Sequence, residues 1–501
     1  MLSSSRRNIP HVRQCLGKEP RISHGRDFKM TMLKTLQRTD EFVEEDALEA
    51  LANGLRGGVF SDGSPEYEEG RTLWNAMVDR KPGAVIRAKG AADVQDAVNF
   101  ARNNGLLMAI RSGGHQIAGH AVVEGALQLD LSHMNSVRVN PSEKTVRVEP
   151  GATLGDVDRE TQVHNLALPV GINSTTGIAG LTLGGGFGWL TRKYGMTIDN
   201  LISADIVTAD GAVRLASEDE NSDLFWAIRG GGGNFGIVTS FEFAVHDIGS
   251  EVLSGLIVHP IEAGPDLLKE YREIANAAPD EMTVWVVMRK APPLPFLPEE
   301  WHGRPVLVFA ACYTGDLSKG EEALAGLRAL GEPIADVISP HPYVGWQTAF
   351  DPLLTPGMRN YWKSHDFEDL SDEAITKLTS AIEGLPDPNC EVFIAHVGGA
   401  MARIPVGETA YPERSSHFIM NVHTRWEEAS KDAECIDWAR QLFDDMAPYS
   451  TGSAYVNFMP DDEVERVSGA YGANMKKLGQ VKAKYDPGNL FRVNHNIAPA
   501  E

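Results

Sequence analysis

The chain has 501 residues, of which 42% are hydrophobic, and a formal net charge of −23. This length exceeds what one hydrophobic core usually supports, so two domains are expected. The strong negative charge argues against nucleic acid or an anionic membrane surface as a partner. No run of residues approaches the ~18 apolar positions of a membrane-spanning helix, so no membrane partner is expected either.

The cysteines are scattered and lack any CxxC spacing: Cys15, Cys312, Cys390 and Cys435. This pattern argues against a zinc site or a disulfide framework and favours a reducing compartment. We therefore predict no metal site and a cytoplasmic protein.

Residues 1–40 are rich in Lys and Arg and lack the apolar stretch of a secretory signal. They are predicted to be a basic extension, and an organelle transit peptide is the alternative. Because residues 1–38 show no helical or strand periodicity, they are predicted to be dispensable for folding.

The first elements predict a β-α-β unit followed by a hairpin. Residues 84–87 and 106–110 are short apolar runs typical of buried strands. Between them, residues 91–104 place apolar side chains at helical spacing. Residues 137–148 predict a hairpin, and 153–165 a second helix.

Glycine is concentrated in four segments, which are 111–115, 171–180, 184–188 and 231–236. Glycine lets a backbone turn tightly and approach a ligand closely, and the exposed N–H groups suit phosphate. Four such segments exceed the needs of one phosphate, so a dinucleotide is expected. The two middle segments are predicted to be loops.

The segment 231–236 matches GxGxxG, but a predicted strand at 237–243 follows it where a Rossmann fingerprint requires a helix. A nicotinamide-type Rossmann domain is therefore rejected, and the absence of GxxxxGK[ST] excludes a P-loop. A flavin dinucleotide in another fold is the natural candidate.

From residue 246 the chain changes to longer strands and helices with few glycine clusters. Strands are predicted at 282–288, 306–312, 391–397 and 417–424, and helices at 267–278, 319–330 and 429–446. The proline-rich stretch 292–298 predicts a stiff loop. These patterns indicate a second domain of sheet and helices.

The glycine-rich motifs, the stretch 225–238 and Asn494-His495-Asn496 resemble the berberine-bridge-enzyme-like FAD-linked oxidases of the vanillyl-alcohol oxidase superfamily. The likeness is greatest to the bacterial branch of 6-hydroxynicotine oxidase. It implies an α+β fold with a two-part FAD domain of the PCMH type, built from 41–245 and 451–501. A substrate domain at 246–450 would contain a large antiparallel sheet covered by helices.

The resemblance also implies how FAD is held. His115 falls on the family histidine that bonds covalently to the flavin. Asn173 stands where many relatives carry a second, cysteinyl tether, so a single tether is implied. The other implied cofactor contacts are Arg111, Ser112, Gly113, Gly114, His120, Gly171, Thr175, Gly177, Gly180, Gly185, Gly186, Gly236, Ile237, Val238, Asn494 and Asn496.

Two positions bear on catalysis through the resemblance. Thr176 falls where the family controls oxygen access, and its size favours an oxidase over a dehydrogenase. Tyr455, in Tyr-Val-Asn-Phe, matches the family's catalytic tyrosine. We expect it to be the base, with a pKa lowered by the oxidised flavin and a neighbouring cation.

Other pocket residues are less firmly assigned. Some plant relatives use a glutamate on the strand before the family tryptophan; the resemblance places Ile419 at that position and so implies that a carboxylate base is missing. Asn421 and His423 share one face of the same predicted strand and are candidates for substrate binding. Tyr361 is a further pocket candidate.

These expectations combine into one functional hypothesis. An FAD-dependent oxidase takes a hydride from a C–H bond of an alcohol, amine or sugar onto flavin N5 and passes the electrons to O2, giving H2O2. A dehydrogenase with another electron acceptor and a flavin-binding protein without turnover are the alternatives.

Overall fold

The computed structural model describes residues 30–501, so most of the predicted basic extension lies outside the described residues. The expectation that residues 1–38 contain no strand is wrong for the described part, while their dispensability stays a prediction. Met30–Lys34 is a strand paired antiparallel with Asp40–Glu44. Leu33 is completely buried, and the Lys34 carbonyl accepts a hydrogen bond from the backbone N–H of Leu107. Five residues are too few for the alternation to be recognised among basic neighbours.

A small sheet begins the N-terminal domain. Its strand order is Gly58–Phe60, Ala84–Arg87, Leu127–Asp130, Met108–Arg111, and the last three strands run parallel. The helix Ala91–Asn103 connects two of them, which confirms the β-α-β unit. Its buried side chains, such as Val94 and Val98, lie on one face and pack on the sheet.

A second sheet of five antiparallel strands completes this domain. The order is Val213–Ser217, Leu201–Val207, Ile237–Ala244, Thr145–Val148, Val137–Asn140. The central strand directly follows the 231–236 segment, as predicted, which leaves no Rossmann-type helix there. A separate two-stranded pair joins Leu166–Ala167 to His246–Asp247.

The second domain is built on one large antiparallel sheet. Its order is Ala335–Asp336, Glu251–Pro260, Pro305–Tyr313, Met282–Lys290, Glu391–His396, Phe418–Trp426, Arg359–Phe367, and Ser339–Pro342 also pairs with Glu251–Pro260. Four long helices cover one face, namely Gly264–Ala277, Gly320–Arg328, Asp372–Ala381 and Asp432–Met446. The α+β architecture and the helix-covered sheet are thus confirmed.

The remaining helices lie mostly in the N-terminal domain and the connections. They are Glu45–Gly54, Pro65–Arg71, Leu154–Gln162, Ile178–Leu183, Thr191–Tyr194, Ser222–Ile228, Tyr343–Gln347, Ala400–Arg403, Val467–Tyr471 and Met475–Tyr485.

Ile178–Leu183 corrects the prediction of a loop over 171–180, since buried Ile178, Ala179 and Thr182 give this short helix a buried side. Tyr455 directly precedes the 3-10 turn Val456–Phe458.

The C-terminal residues pack on the N-terminal domain. Buried Leu478, Val481 and Tyr485 share one core with the five-stranded sheet. The fully buried Lys482 ammonium donates to the carbonyls of Asn234 and Phe491, and pairs with Asp486. These contacts join the two parts of the domain. None of the helices within residues 30–501 is long and apolar enough to cross a membrane.

The N-terminal strand yields a stability prediction. Leu33→Ala removes a side chain with no exposed area, so it should lower the free energy of unfolding by about 2–5 kcal/mol. Met32→Ala is the control, because Met32 is 51% exposed and should change stability by less than about 0.5 kcal/mol. Urea unfolding followed by tryptophan fluorescence checks both; equal effects would contradict the packing of this strand.

Candidate active site

A deep cleft of about 390 Å³ lies between the glycine-rich loops and the uncovered face of the large sheet. Predicted site residues that line it are Ser112, Gly113, Gly114, His115, His120, Gly171, Asn173, Thr176, Gly177, Gly180, Gly236, Ile237, Val238, His423, Tyr455 and Asn494. The structure therefore brings together residues more than 370 positions apart in the chain.

The wall beside His115 depends on two glycines in direct backbone contact. A Cβ on Gly113 would lie 2.5 Å from the Gly177 backbone, and one on Gly177 would lie 2.6 Å from Gly113. Gly114 has φ +68°, a conformation that side chains disfavour. These glycines let the 111–115 loop and the 171–177 loop meet and carry His115 to the cleft.

His115 is held by one stacking contact and two hydroxyls. Its ring stacks on Trp74 with centroids 4.9 Å apart, and Nε2 lies 2.9 Å from Thr175 Oγ1. Nδ1 lies 3.5 Å from Thr176 Oγ1. Burial and the nearby Arg425 guanidinium lower the pKa of His115 to about 3, so the ring is neutral.

The hydrogen bonds around Thr175 fix the tautomer of that neutral ring. The Thr175 hydroxyl donates to Asn173 Oδ1 at 2.8 Å. Its oxygen must then accept from the His115 Nε2–H, because its only proton is already used. Nδ1 is left with the lone pair, and the Thr176 hydroxyl at 3.5 Å can donate to it. Asn173, at the position of the missing cysteine, thus acts on His115 through Thr175.

Two residues of the first glycine-rich motif do not present their donors to the cleft. Arg111 was an implied cofactor contact, but its Nη1 pairs with the fully buried Asp130 at 2.9 Å. The Ser112 hydroxyl donates to the Pro150 carbonyl. Because each side chain is engaged by a partner within the protein, the two residues anchor the loop.

Four more predicted cofactor residues lie outside the cleft lining. Thr175 is exposed on the outer side of His115, and Asn496 is exposed at the C-terminus. Gly185 and Gly186 lie beneath Tyr455, whose oxygen accepts from the Gly186 N–H at 2.9 Å. The glycines at 184–186 thus allow close packing against the substrate side of the cleft.

Tyr455 is buried, and its oxygen accepts hydrogen bonds from Gly186 N–H and from Asn457 Nδ2, the latter at 3.0 Å. Burial raises its pKa to about 12 despite these two donors. Among the described residues no cation acts on the phenol, so the protein groups alone raise this pKa, and the lowering expected from the oxidised flavin stays a prediction. The phenol keeps its proton, and that O–H is left free to donate.

Aromatic side chains form most of the inner wall. Phe187 contacts Tyr455 and Trp285, with ring centroids 4.9 and 5.8 Å apart, and Trp285 stacks on Phe393. The outer part is also apolar and includes Leu294, Phe296 and Leu297 from the proline-rich stretch predicted as a stiff loop. The interior of the pocket is therefore predominantly apolar.

One row of side chains crosses this wall in strand register. Arg289, Glu391, His423 and Trp362 are successive partners on four adjacent strands. Arg289 Nη1 lies 2.7 Å from Glu391 Oε2, and His423 Nδ1 lies 3.1 Å from Glu391 Oε1. Arg289, Glu391 and Trp362 were missed in the sequence, since only the strand register identifies them.

The ionisation states in this row follow from their neighbours. Burial opposes the charge on Glu391, but Arg289 and His423 outweigh it and lower its pKa to about 2. Burial lowers the pKa of His423, although Glu391 opposes that shift. At neutral pH the row therefore contains an ionised carboxylate paired with a guanidinium, and a neutral imidazole.

Three other predictions for this sheet need correction. Tyr361 faces the covering helices, where its hydroxyl donates to Asp462 and accepts from Arg440. Asn421 is fully buried and absent from the cleft lining. Ile419 is apolar as expected, and the neighbouring strand contributes a carboxylate, Glu391, opposite His423 and not opposite Ile419.

The cleft suits a dinucleotide in both shape and donor set. A Cβ added at Gly180 or Gly233 would meet no protein atom within 4 Å, so bare backbone faces open space there. Gln116 Oε1 and Asn494 Oδ1 are buried in the lining and have no hydrogen-bond partner within the protein. Such groups require a polar ligand, and a flavin ring with its phosphates supplies one.

Comparison with known proteins defines the class. Residues 82–217 match the model of the FAD binding domain, and 454–498 match the family described as berberine and berberine like. An FAD-linked oxidoreductase of Dictyostelium discoideum is 32% identical over 90% of this chain and 96% of that protein. The protein is therefore an FAD-linked oxidoreductase.

Further relatives give the family. (R)-6-hydroxynicotine oxidase of Paenarthrobacter nicotinovorans is 29% identical, covering 89% of this chain and 97% of that protein. The crystal structure of 6-hydroxy-D-nicotine oxidase from Arthrobacter nicotinovorans superposes with a TM-score of 0.80 at 27% identity, over 89% of this chain and 98% of that one. The chain belongs to the berberine-bridge-enzyme-like oxidoreductases.

The anchor of the first loop yields a second prediction. Asp130 is fully buried between Arg111 and Arg87, so Asp130→Asn leaves Arg111 buried without its counter-ion. It should lower the free energy of unfolding by about 3–5 kcal/mol, measured by urea unfolding. Asp62→Asn breaks a pair with Lys81 in which both side chains are more than half exposed, and should cost less than about 1 kcal/mol. If the two variants lose the same free energy of unfolding, the pairing of Arg111 with Asp130 is not a buried anchor of the loop.

Proposed function

We propose that the protein is an oxidase that uses FAD to oxidise a largely apolar alcohol or amine and reduces O2 to H2O2. One observation carries this proposal. A single cleft joins the glycine-rich loops and His115 to an aromatic pocket with a few convergent polar groups. Such a pocket is the usual form of a small-molecule site.

The residues that would hold FAD are the glycine-rich loops, Gln116 and Asn494, with His115 as the single covalent link. When bound, FAD supplies an acceptor for two electrons from a substrate C–H bond. The unprotonated His115 Nδ1, whose protein neighbour is the Thr176 hydroxyl at 3.5 Å, is supported as the point of attachment, since Thr175 and Asn173 hold the other nitrogen as a donor. Asn173 also leaves no thiol for a second link.

The lining of the pocket favours an apolar substrate. Phe187, Trp285, Phe393 and Phe458 enclose the inner end, and the polar groups are confined to the Glu391 row and to Tyr455 with Asn457. A molecule with a flat hydrocarbon body and one hydroxyl or amine at the reacting end matches this distribution. A sugar would leave many of its hydroxyls unpaired.

Tyr455 has a different role from the one expected from its motif. Its oxygen already accepts two hydrogen bonds, and its high pKa keeps the phenol protonated. We assign it the donation of one hydrogen bond to the reacting oxygen or nitrogen of the substrate. That bond positions the substrate against the aromatic wall.

The function is tested with the purified holoprotein and a panel of benzylic alcohols, N-methyl amines and disaccharides. Anaerobic bleaching of the flavin by an alcohol or amine, followed by O2 uptake and peroxide formation, is expected. Bleaching without O2 uptake would indicate a dehydrogenase. A flavin that no compound bleaches would contradict an enzymatic role.

The covalent link has its own prediction. After denaturation and acid precipitation, wild-type protein should retain flavin fluorescence, and His115→Ala should lose it to the supernatant. His120→Ala is the matched control, since His120 lines the same cleft and should leave the link intact. Release of flavin by the wild type, or its retention by His115→Ala, would show that the link is absent or elsewhere.

Access of oxygen is tested at Thr176, which lines the cleft beside His115. Thr176→Leu adds bulk there and should slow reoxidation of the reduced flavin by O2 without slowing anaerobic reduction. Thr176→Val keeps the size and should reoxidise at nearly the wild-type rate. Stopped-flow absorbance measures both half-reactions; equal reoxidation by all three proteins would exclude Thr176 from the oxygen path.

A further inference from the structure

The row across the large sheet contains a histidine whose two ring nitrogens have different surroundings. His423 Nδ1 lies 3.1 Å from Glu391 Oε1. Nε2 is buried, lies in a residue that lines the cleft, and has no hydrogen-bond partner within the protein. His423 itself is only 4% exposed. A buried, unpartnered ring nitrogen at the wall of a ligand cleft requires a partner from the ligand.

The neighbours of His423 define which nitrogen carries the proton. Glu391 is held ionised by Arg289 and can only accept, so His423 Nδ1 must be the N–H that donates to it. Nε2 then has a free lone pair. Trp362 packs edge-on against the ring at 4.4 Å, and Phe393 lies at 6.0 Å on another side, which limits its rotation.

We propose that His423 is the proton acceptor of the reaction and that Glu391 is its positioning residue, with Arg289 holding Glu391. This inference rests on the proposed function and names the group that removes the substrate proton. The same assignment replaces Tyr455 as the base suggested by the sequence.

The step balances with FAD as the oxidant. In a substrate H–C–X–H, where X is oxygen or nitrogen, the X–H proton passes to His423 Nε2. The X–H electron pair stays on X and becomes the second bond of C=X. The C–H bond breaks, and its hydrogen leaves with two electrons to the oxidised flavin. The new imidazolium lies against the Glu391 carboxylate, which stabilises its charge.

Arg289 explains why Glu391 itself does not take the proton. Its guanidinium lies 2.7 Å from the second carboxylate oxygen and stabilises the ionised form. In the surroundings that the protein provides, burial keeps the Tyr455 phenol protonated, and its oxygen already accepts two hydrogen bonds. His423 is thus the neutral, properly oriented acceptor among the polar groups described in this wall.

The tautomer can be tested without any substrate. Histidine-selective 15N labelling of the holoprotein, with His423→Gln used to assign the signal, should show Nδ1 protonated and Nε2 bare at pH 7.5. Protonation of Nε2 instead would overturn the proposal. Unfolding midpoints and flavin content of the variant confirm that it is folded.

The kinetic test uses the panel compound that bleaches the wild-type flavin fastest. His423→Gln should slow anaerobic bleaching by roughly 10²–10⁴-fold, the usual contribution of a positioned base. His423→Ala should recover part of the loss when imidazole is added, since the truncation leaves space for it. His417→Ala is the control, because His417 is exposed just before the same strand and should match the wild type.

The pH profile separates positioning from a purely structural role of Glu391. Wild-type bleaching should fall at acid pH as His423 gains a proton and level off above its pKa. Glu391, Arg289 and Arg425 are the charged groups that act on this ring. Glu391→Gln removes the anion and so lowers the pKa of His423. The fall in bleaching rate at acid pH should therefore move to lower pH, and the constant rate at higher pH should decrease. A bleaching rate that is lower at every pH, with no change in the pH at which it falls, would contradict the positioning role of Glu391.

Two outcomes distinguish the possible failures. If wild-type flavin is bleached but His423→Gln stays within about threefold of the wild type, the proposed function stands and His423 is not the base. If no panel compound bleaches the wild-type flavin, the proposed function fails. The 15N result then tests only the hydrogen bond between His423 and Glu391. If Tyr455→Phe slows anaerobic bleaching of the flavin while His423→Gln bleaches at the wild-type rate, Tyr455 is the base.

Discussion

The active site depends on a contact that only two glycines can make. Gly113 and Gly177 meet backbone to backbone, and any side chain on either would overlap the other loop. This contact brings His115, Thr175 and Asn173 within hydrogen-bonding reach. The buried pairing of Arg111 with Asp130 holds the first loop from behind. The covalent chemistry proposed for His115 therefore depends on this backbone contact, because the contact places the polar side chains around His115.

The motifs predicted most of the N-terminal domain correctly because their chemistry is local. Glycine clusters, a helical spacing at 91–104 and a strand after 231–236 each depend on neighbours within a few residues. The direction of the Arg111 and Ser112 side chains could not be predicted in this way. Their partners, Asp130 and the Pro150 carbonyl, lie 19 and 38 residues further along the chain. A motif identifies the loop but not which of its side chains face the ligand.

The substrate side was harder to predict because it is defined by pairing between distant strands. The sequence placed His423 on a strand and on the correct face. It did not show that Glu391, 32 residues earlier, is its neighbour, or that Tyr361 faces away while Trp362 lines the cleft. A shift of one residue in register would exchange these faces. The raised pKa of Tyr455 could not be predicted for the same reason, since residues from several parts of the chain bury this side chain.

The return of the C-terminal residues to the N-terminal domain has a consequence for biosynthesis. Asn494 lines the cleft, and Lys482 joins the last helix to the loop that contains Asn234. A ribosome makes the glycine-rich loops first and these residues after the whole second domain. The cofactor site is therefore incomplete throughout translation of the middle of the chain. Flavin can therefore meet its full set of contacts only once Asn494 has been synthesised and has docked on the N-terminal domain.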